Sequence, residues 1–163
     1  FHKYESFRKD LVRNFNEFFT KKGIQIEIQE YIEQNFDFKL RENWKNQTLF
    51  EVNWICNRIK HDSSLPISFE KPNSLIPEKF QNMEIESKII ISTKDLYNYY
   101  DLIYQYCHDL FQLFNQVNLK IQLSEIGIDE LTETLIDKEI EKRISLLNNR
   151  DTDANKRQDD HAS

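Results

Sequence analysis

The feature that most limits what this chain can fold into is its shortage of turn-formers. Its 163 residues include two glycines and three prolines, and Pro66, Pro72 and Pro77 all fall within one stretch, DSSLPISFEKPNSLIPEKFQNM, at 62–83. A sandwich or barrel needs turn signals roughly every 8–12 residues, which this chain does not supply. It has much to bury all the same, with twelve Phe and seven Tyr. Long helices with few connections satisfy both conditions. At this length the chain forms one domain, burying roughly 70% of the surface its unfolded form exposes. The expected fold is all-α: a bundle of four to five helices over 1–147, with 62–83 as a long Pro-containing connection that could cover a site. The run EIESKIIIS, 84–92, has room for one short strand or hairpin.

Periodicity places the helices. Phe1, Tyr4, Phe7, Leu11, Phe15 and Phe18 recur at intervals of three and four and predict an amphipathic helix that stops at Lys21, Lys22 and Gly23. Residues 24–45 read mostly as helix on their Glu- and Gln-rich spacing, although Ile24, Ile26 and Ile28 alternate as in a strand. The next helix, 47–61, has Leu49, Val52, Ile55, Cys56 and Ile59 on its inner side. A fourth begins with Ser92 or Thr93 as N-cap and runs to about Asn118. A fifth follows Gly127 and carries Ile128, Leu131, Leu135, Ile136, Ile140, Ile144 and Leu147. The polar tail 148–163, NNRDTDANKRQDDHAS, has almost nothing to bury and is expected to be disordered or a linker.

The fourth helix is too apolar for one buried side. Leu96, Ile103, Leu110 and Val117 form one seven-residue series, and Tyr100, Cys107 and Phe114 a second. Tyr97, Tyr104 and Phe111 flank them on one side, with Tyr99, Tyr106 and Leu113 on the other. A stripe this wide implies a second buried surface. A homodimer through the Tyr-rich helix 93–118 would supply it, as would a central position in the chain's own bundle.

The formal charge of −6 argues against a generally basic nucleic-acid surface, so any RNA site must be local. No Gly-rich phosphate loop or nucleophile elbow is present. His2, His61, His108 and His161 are scattered without metal-ligand spacing, so neither a metal nor another cofactor is expected. Cys56 and Cys107 lie among apolar residues and read as free thiols of a reducing compartment. No apolar run reaches the roughly 18 residues of a membrane span, and no signal-peptide pattern is seen; the expected location is cytoplasmic. Position 1 is Phe rather than Met, which leaves room for a leader or a further domain.

One stretch concentrates chemistry, NWICNRIKHD at 53–62. In a helix Trp54, Asn57, Arg58 and His61 fall at i, i+3, i+4 and i+7 and share a face. Lys39, Arg41, Lys45, Arg58 and Lys60 stand against Glu42 and Glu51 in the surrounding segment, a local basic surplus. An imidazole near pKa 6.5 can move a proton at neutral pH, and a neighbouring guanidinium can hold a phosphate. These are parts for metal-free RNA cleavage, with His61 as the proton-transfer residue and Asn57 orienting it or the phosphate. Arg58 and Lys60 would hold the RNA backbone. Trp54 and Trp44 could stack on bases or pack in the core. His61 and Lys60 also suit the last turn of a helix electrostatically.

CNRIKH, preceded by an apolar helix and followed by a polar loop, resembles the signature of HEPN domains. These are small all-α bundles whose hallmark is Arg, a polar residue often Asn, about three variable residues, then His. The resemblance extends over about 1–147. It implies that two copies pair to form a composite, metal-independent endoribonuclease site, in a bacterial toxin-type, phage-defence or RNA-processing system. It carries over to Asn57 and His61. Residue 56, where the pattern has Arg, is Cys56, and Arg58, i+3 from His61, is the nearest substitute guanidinium. The alternative that this departure implies is a non-catalytic HEPN-like module for dimerisation or protein binding.

Overall fold

Helix boundaries are set by short-range hydrogen bonds that the sequence encodes. In the computed structural model, which describes residues 2–40, 47–61, 77, 80 and 91–159, five helices occur: α1 His2–Lys21, α2 Ile28–Phe36, α3 Gln47–His61, α4 Thr93–Ile126 and α5 Glu130–Asp159. No strand occurs among the described residues, and the architecture is an all-α bundle. None of the described helices is long and apolar enough to cross a membrane.

α1 closes at Gly23, whose φ of 74° would strain a residue with a Cβ. The Gly23 N–H donates to the Thr20 carbonyl at 3.0 Å and the Ile24 N–H to Phe19 at 2.9 Å, the paired closure typical of a glycine-ended helix. α2 takes its cap from α1: Asn16 Oδ1 accepts the Ile28 N–H at 2.9 Å, while Glu27, the residue preceding α2, provides no side-chain cap. α4 opens with a reciprocal cap, in which Ser92 Oγ accepts the Asp95 N–H at 3.0 Å and Asp95 Oδ2 accepts the Ser92 N–H at 3.1 Å. Asp129 caps α5 by accepting the Thr132 N–H and hydroxyl, and these bonds hold its carboxyl below the usual range.

α4 is the axis of the core. Tyr106, Leu110, Leu113, Phe114, Val117 and Ile121 are all buried. Tyr4, Leu11 and Phe19 of α1, Ile28 and Ile32 of α2, and Ile136, Ile140 and Leu147 of α5 belong to the same cluster. Phe15 meets Phe114 edge to face at 5.2 Å between ring centres, and Tyr4 meets Tyr106 at 6.1 Å. α5 returns antiparallel along α4: Lys120 near the end of α4 pairs with Asp137, and Asp109 near its middle lies 3.8 Å from Arg143.

Several boundaries differ from the sequence reading. Of the helix expected over 24–45, the described part holds α2 at Ile28–Phe36, because Gly23 and the Asn16 cap delay its start and Asp37, at φ 47°, ends it; 41–45 lie outside the described residues. α4 continues past Asn118 to Ile126, since Val117 and Ile121 keep the buried row going to the break at Gly127. α5 does not stop near Leu147; its backbone stays helical to Asp159, into the stretch read as a disordered tail or linker. Extending an existing helix avoids the cost of nucleation. In α1 Phe19, outside the expected apolar series, is buried, and Phe18 is half-buried. The possible strand over 84–90, most of the Pro-containing connection and Trp44 lie outside the described residues.

Candidate functional site

α3 carries the candidate residues and is anchored to α4 by its other face. Of the five residues expected on its inner side, Leu49, Val52 and Ile55 are buried, Cys56 is half-buried, and the side chain of Ile59 lies outside the described residues. Glu51 is also buried, and its Oε2 accepts the Tyr99 hydroxyl of α4 at 3.0 Å. Burial, and then the Glu51 charge, push the Tyr99 phenol well above its ordinary range. Trp54 is half-buried and stacks on Phe80 at 4.9 Å between ring centres, with the planes 15° apart. Ile55, Phe80, Trp54, Ile91 and Tyr99 make a small second core that sets the position of α3. Trp54 therefore contributes to packing, whatever it adds toward a ligand.

The helix is continuous to His61, so Trp54, Asn57, Arg58 and His61 keep their spacing of one and two turns. Asn57 is exposed, and its Nδ2 donates to Asn53 Oδ1 at 3.2 Å, one turn back on the same helix. The side chains of Arg58, Lys60 and His61 lie outside the described residues. Cys56, at the position where the resemblance wants Arg, is a half-buried free thiol. No group of three or more His, Cys, Asp or Glu side chains among the described residues could hold a metal ion.

The wide stripe of α4 resolves into two faces. Tyr106, Leu110, Leu113 and Phe114 point into the core. Tyr97, Tyr100, Tyr104 and Phe111, at successive offsets of three, four and seven, stay on the surface with exposures of 68%, 66%, 62% and 42%. Leu96 joins them at 56%. The rings of Tyr100 and Tyr104 lie one turn apart and nearly parallel, 6.4 Å between centres. This apolar row has no cover within the described part of the chain.

One group was not singled out from the sequence. Asp109 is buried, and its Oδ1 lies 3.4 Å from Nδ1 of exposed His108 and 3.8 Å from the Arg143 guanidinium. Its partner comes from α5, so nothing in the α4 pattern marks it. The arrangement joins α4 to α5 and gives His108 a carboxylate neighbour. No protein-family model matches this chain, and comparison with curated proteins and with solved structures gives no match either.

Proposed function

We propose that the chain is an HEPN-like helical module that pairs with a second copy along α4 and serves as a dimerisation or protein-binding unit. The observation that carries this reading is the exposed row Leu96, Tyr97, Tyr100, Tyr104 and Phe111. Aromatic rings with few charges form the energetic centre of protein interfaces. Between Thr93 and Phe111 the only Lys or Arg is Lys94, set against the capping Asp95 and exposed Asp101, while Asp109 is buried toward α5. Such a face attracts protein rather than phosphate. Light scattering at micromolar concentration tests it: a dimer converted to monomer by Tyr100→Asp with Tyr104→Asp supports the reading, and a native monomer removes it.

A second reading, an RNA-cleaving dimer, is favoured by the helical continuity of α3 through His61, which keeps Asn57 and His61 one turn apart. In that reading a histidine takes the proton of an RNA 2′-hydroxyl, and the 2′-oxygen attacks the adjacent phosphorus. The bond to the 5′-oxygen breaks, and a second acid returns a proton to that oxygen. His61 from each of two copies would provide base and acid, Asn57 would orient, and Arg58 with Lys60 would hold the phosphate in place of an Arg at Cys56. A bacterial defence or toxin-type setting follows from the resemblance alone. RNA incubated in EDTA with native protein and with His61→Ala decides it: 2′,3′-cyclic phosphate ends from the native protein alone support cleavage, whereas intact RNA in both samples leaves the non-catalytic module.

A further inference from the structure

The outer face of α1 lines an open groove of about 640 Å³. Arg8, Lys9, Arg13 and Lys21 contribute four cations to it, and Glu17 is the one acidic side chain in the described lining. This basic strip sits on a chain with a net charge of −6. With a Debye length of about 8 Å at physiological salt, an approaching ligand responds to the groove more than to the whole molecule. The groove wall is mostly carbon, and its described lining includes Val12 and long cationic side chains whose stems are aliphatic. Arg8 is held at one end, its guanidinium 5.9 Å above the Tyr4 ring. Arg13 is bound to Asp10 at 2.8 Å, but both side chains are more than half exposed, so that pair exchanges readily for a stronger partner.

We infer that this groove docks an acidic amphipathic helix from a protein partner, a site separate from the α4 face. Carboxylates on the incoming helix meet Lys9, Arg13 and Lys21, and its apolar stripe lies on the carbon wall. From Arg8 to Lys21 the face is about 20 Å long, which matches a helix of about 14 residues. A helix also satisfies its own backbone hydrogen bonds, so it asks none of a wall made mostly of long side chains. Single-stranded RNA fits less well, because no aromatic side chain belongs to the described lining to stack a base.

Fluorescence anisotropy with a labelled peptide tests the inference. The probe is a helix of about 14 residues with leucines at i, i+3, i+4 and i+7 and glutamates elsewhere. Controls are the same composition permuted to scatter the leucines, and a uridine oligonucleotide of about 20 nucleotides. The expected result is peptide binding at least about tenfold tighter than the permuted control, with a similar loss in Lys9→Glu/Arg13→Glu and a partial loss in Lys21→Glu. Circular dichroism confirms that these surface variants stay folded. Equal binding of the permuted peptide, or no binding, overturns the inference. Preference for the oligonucleotide, lost in the same variants, overturns it in favour of nucleic acid. A drop in native oligomer size caused by Lys9→Glu/Arg13→Glu overturns it in favour of a second copy. Failure here leaves the α4 proposal intact, because that rests on Tyr100 and Tyr104.

Discussion

The Tyr99 hydroxyl donates to buried Glu51 Oε2 at 3.0 Å across 48 residues of sequence, joining α4 to the helix that carries Asn57 and His61. Tyr99→Phe removes that donor and is expected to lower stability by about 1–3 kcal/mol in urea denaturation at pH 8. Because the folded phenol is raised above its ordinary value of 10.0, the bond contributes fully below that pH, and its contribution is lost as pH rises beyond it. The gap between native protein and Tyr99→Phe should therefore narrow in strongly alkaline buffer. A constant gap at all pH values would show that Tyr99 acts through packing alone.

The exposed row of α4 separates stability from association. Tyr100 and Tyr104 are 66% and 62% exposed, so Tyr100→Asp with Tyr104→Asp should change monomer stability by no more than about 0.5 kcal/mol per site. The same pair should halve the mass seen by light scattering. A large drop in the unfolding midpoint at low protein concentration would instead show that these rings support the single-chain fold.

Cys107 is half-buried beside the α4 core, and burial pushes its thiol up from 9.0 to about 11. Its reaction with Ellman's reagent at pH 8 should be much slower in native protein than after unfolding in guanidinium. The neutral thiol favours the folded state below pH 9, and that advantage is lost between about 9 and about 11, where the unfolded thiol ionises ahead of the folded one. Cys107→Ser should remove this component of the alkaline stability profile.

Arg143 lies 3.8 Å from the Asp109 carboxylate and is itself mostly buried. Arg143→Met should destabilise by about 2–3 kcal/mol, less than a fully unpaired buried charge costs, because His108 Nδ1 remains 3.4 Å from the same oxygen. Asp109→Leu combined with Arg143→Met should recover much of that loss, which a thermal double-mutant cycle would read directly.

The all-α architecture was legible because its determinants are local. Gly23 and Ser92 carry out at short range the end and start that their types predict. Lengths were harder to read. Where α2 starts depends on Asn16 reaching across from α1, and α5 continues to Asp159 with no apolar signal beyond Leu147. The sequence also left the tyrosines of α4 equivalent in type. Tyr99 and Tyr106 turn inward because Glu51 and Tyr4 wait for them, whereas Tyr97, Tyr100 and Tyr104 face outward. Of the candidate site, the shared helical face of Asn57 and His61 was readable from spacing alone. The Asp109–Arg143 contact was not, since it requires two helices to be docked first.

The edge-to-face pairs Phe15 with Phe114 and Tyr4 with Tyr106 join partners that leave the ribosome far apart in time. At about 5–20 residues per second, roughly 5–20 s separate the synthesis of α1 from that of the helix it packs against. During that interval a nascent chain holds the phenylalanine face of α1 with nothing in α4 to cover it. Folding of this bundle waits on α4, and the newly made α1 is where a cellular holdase would be needed most.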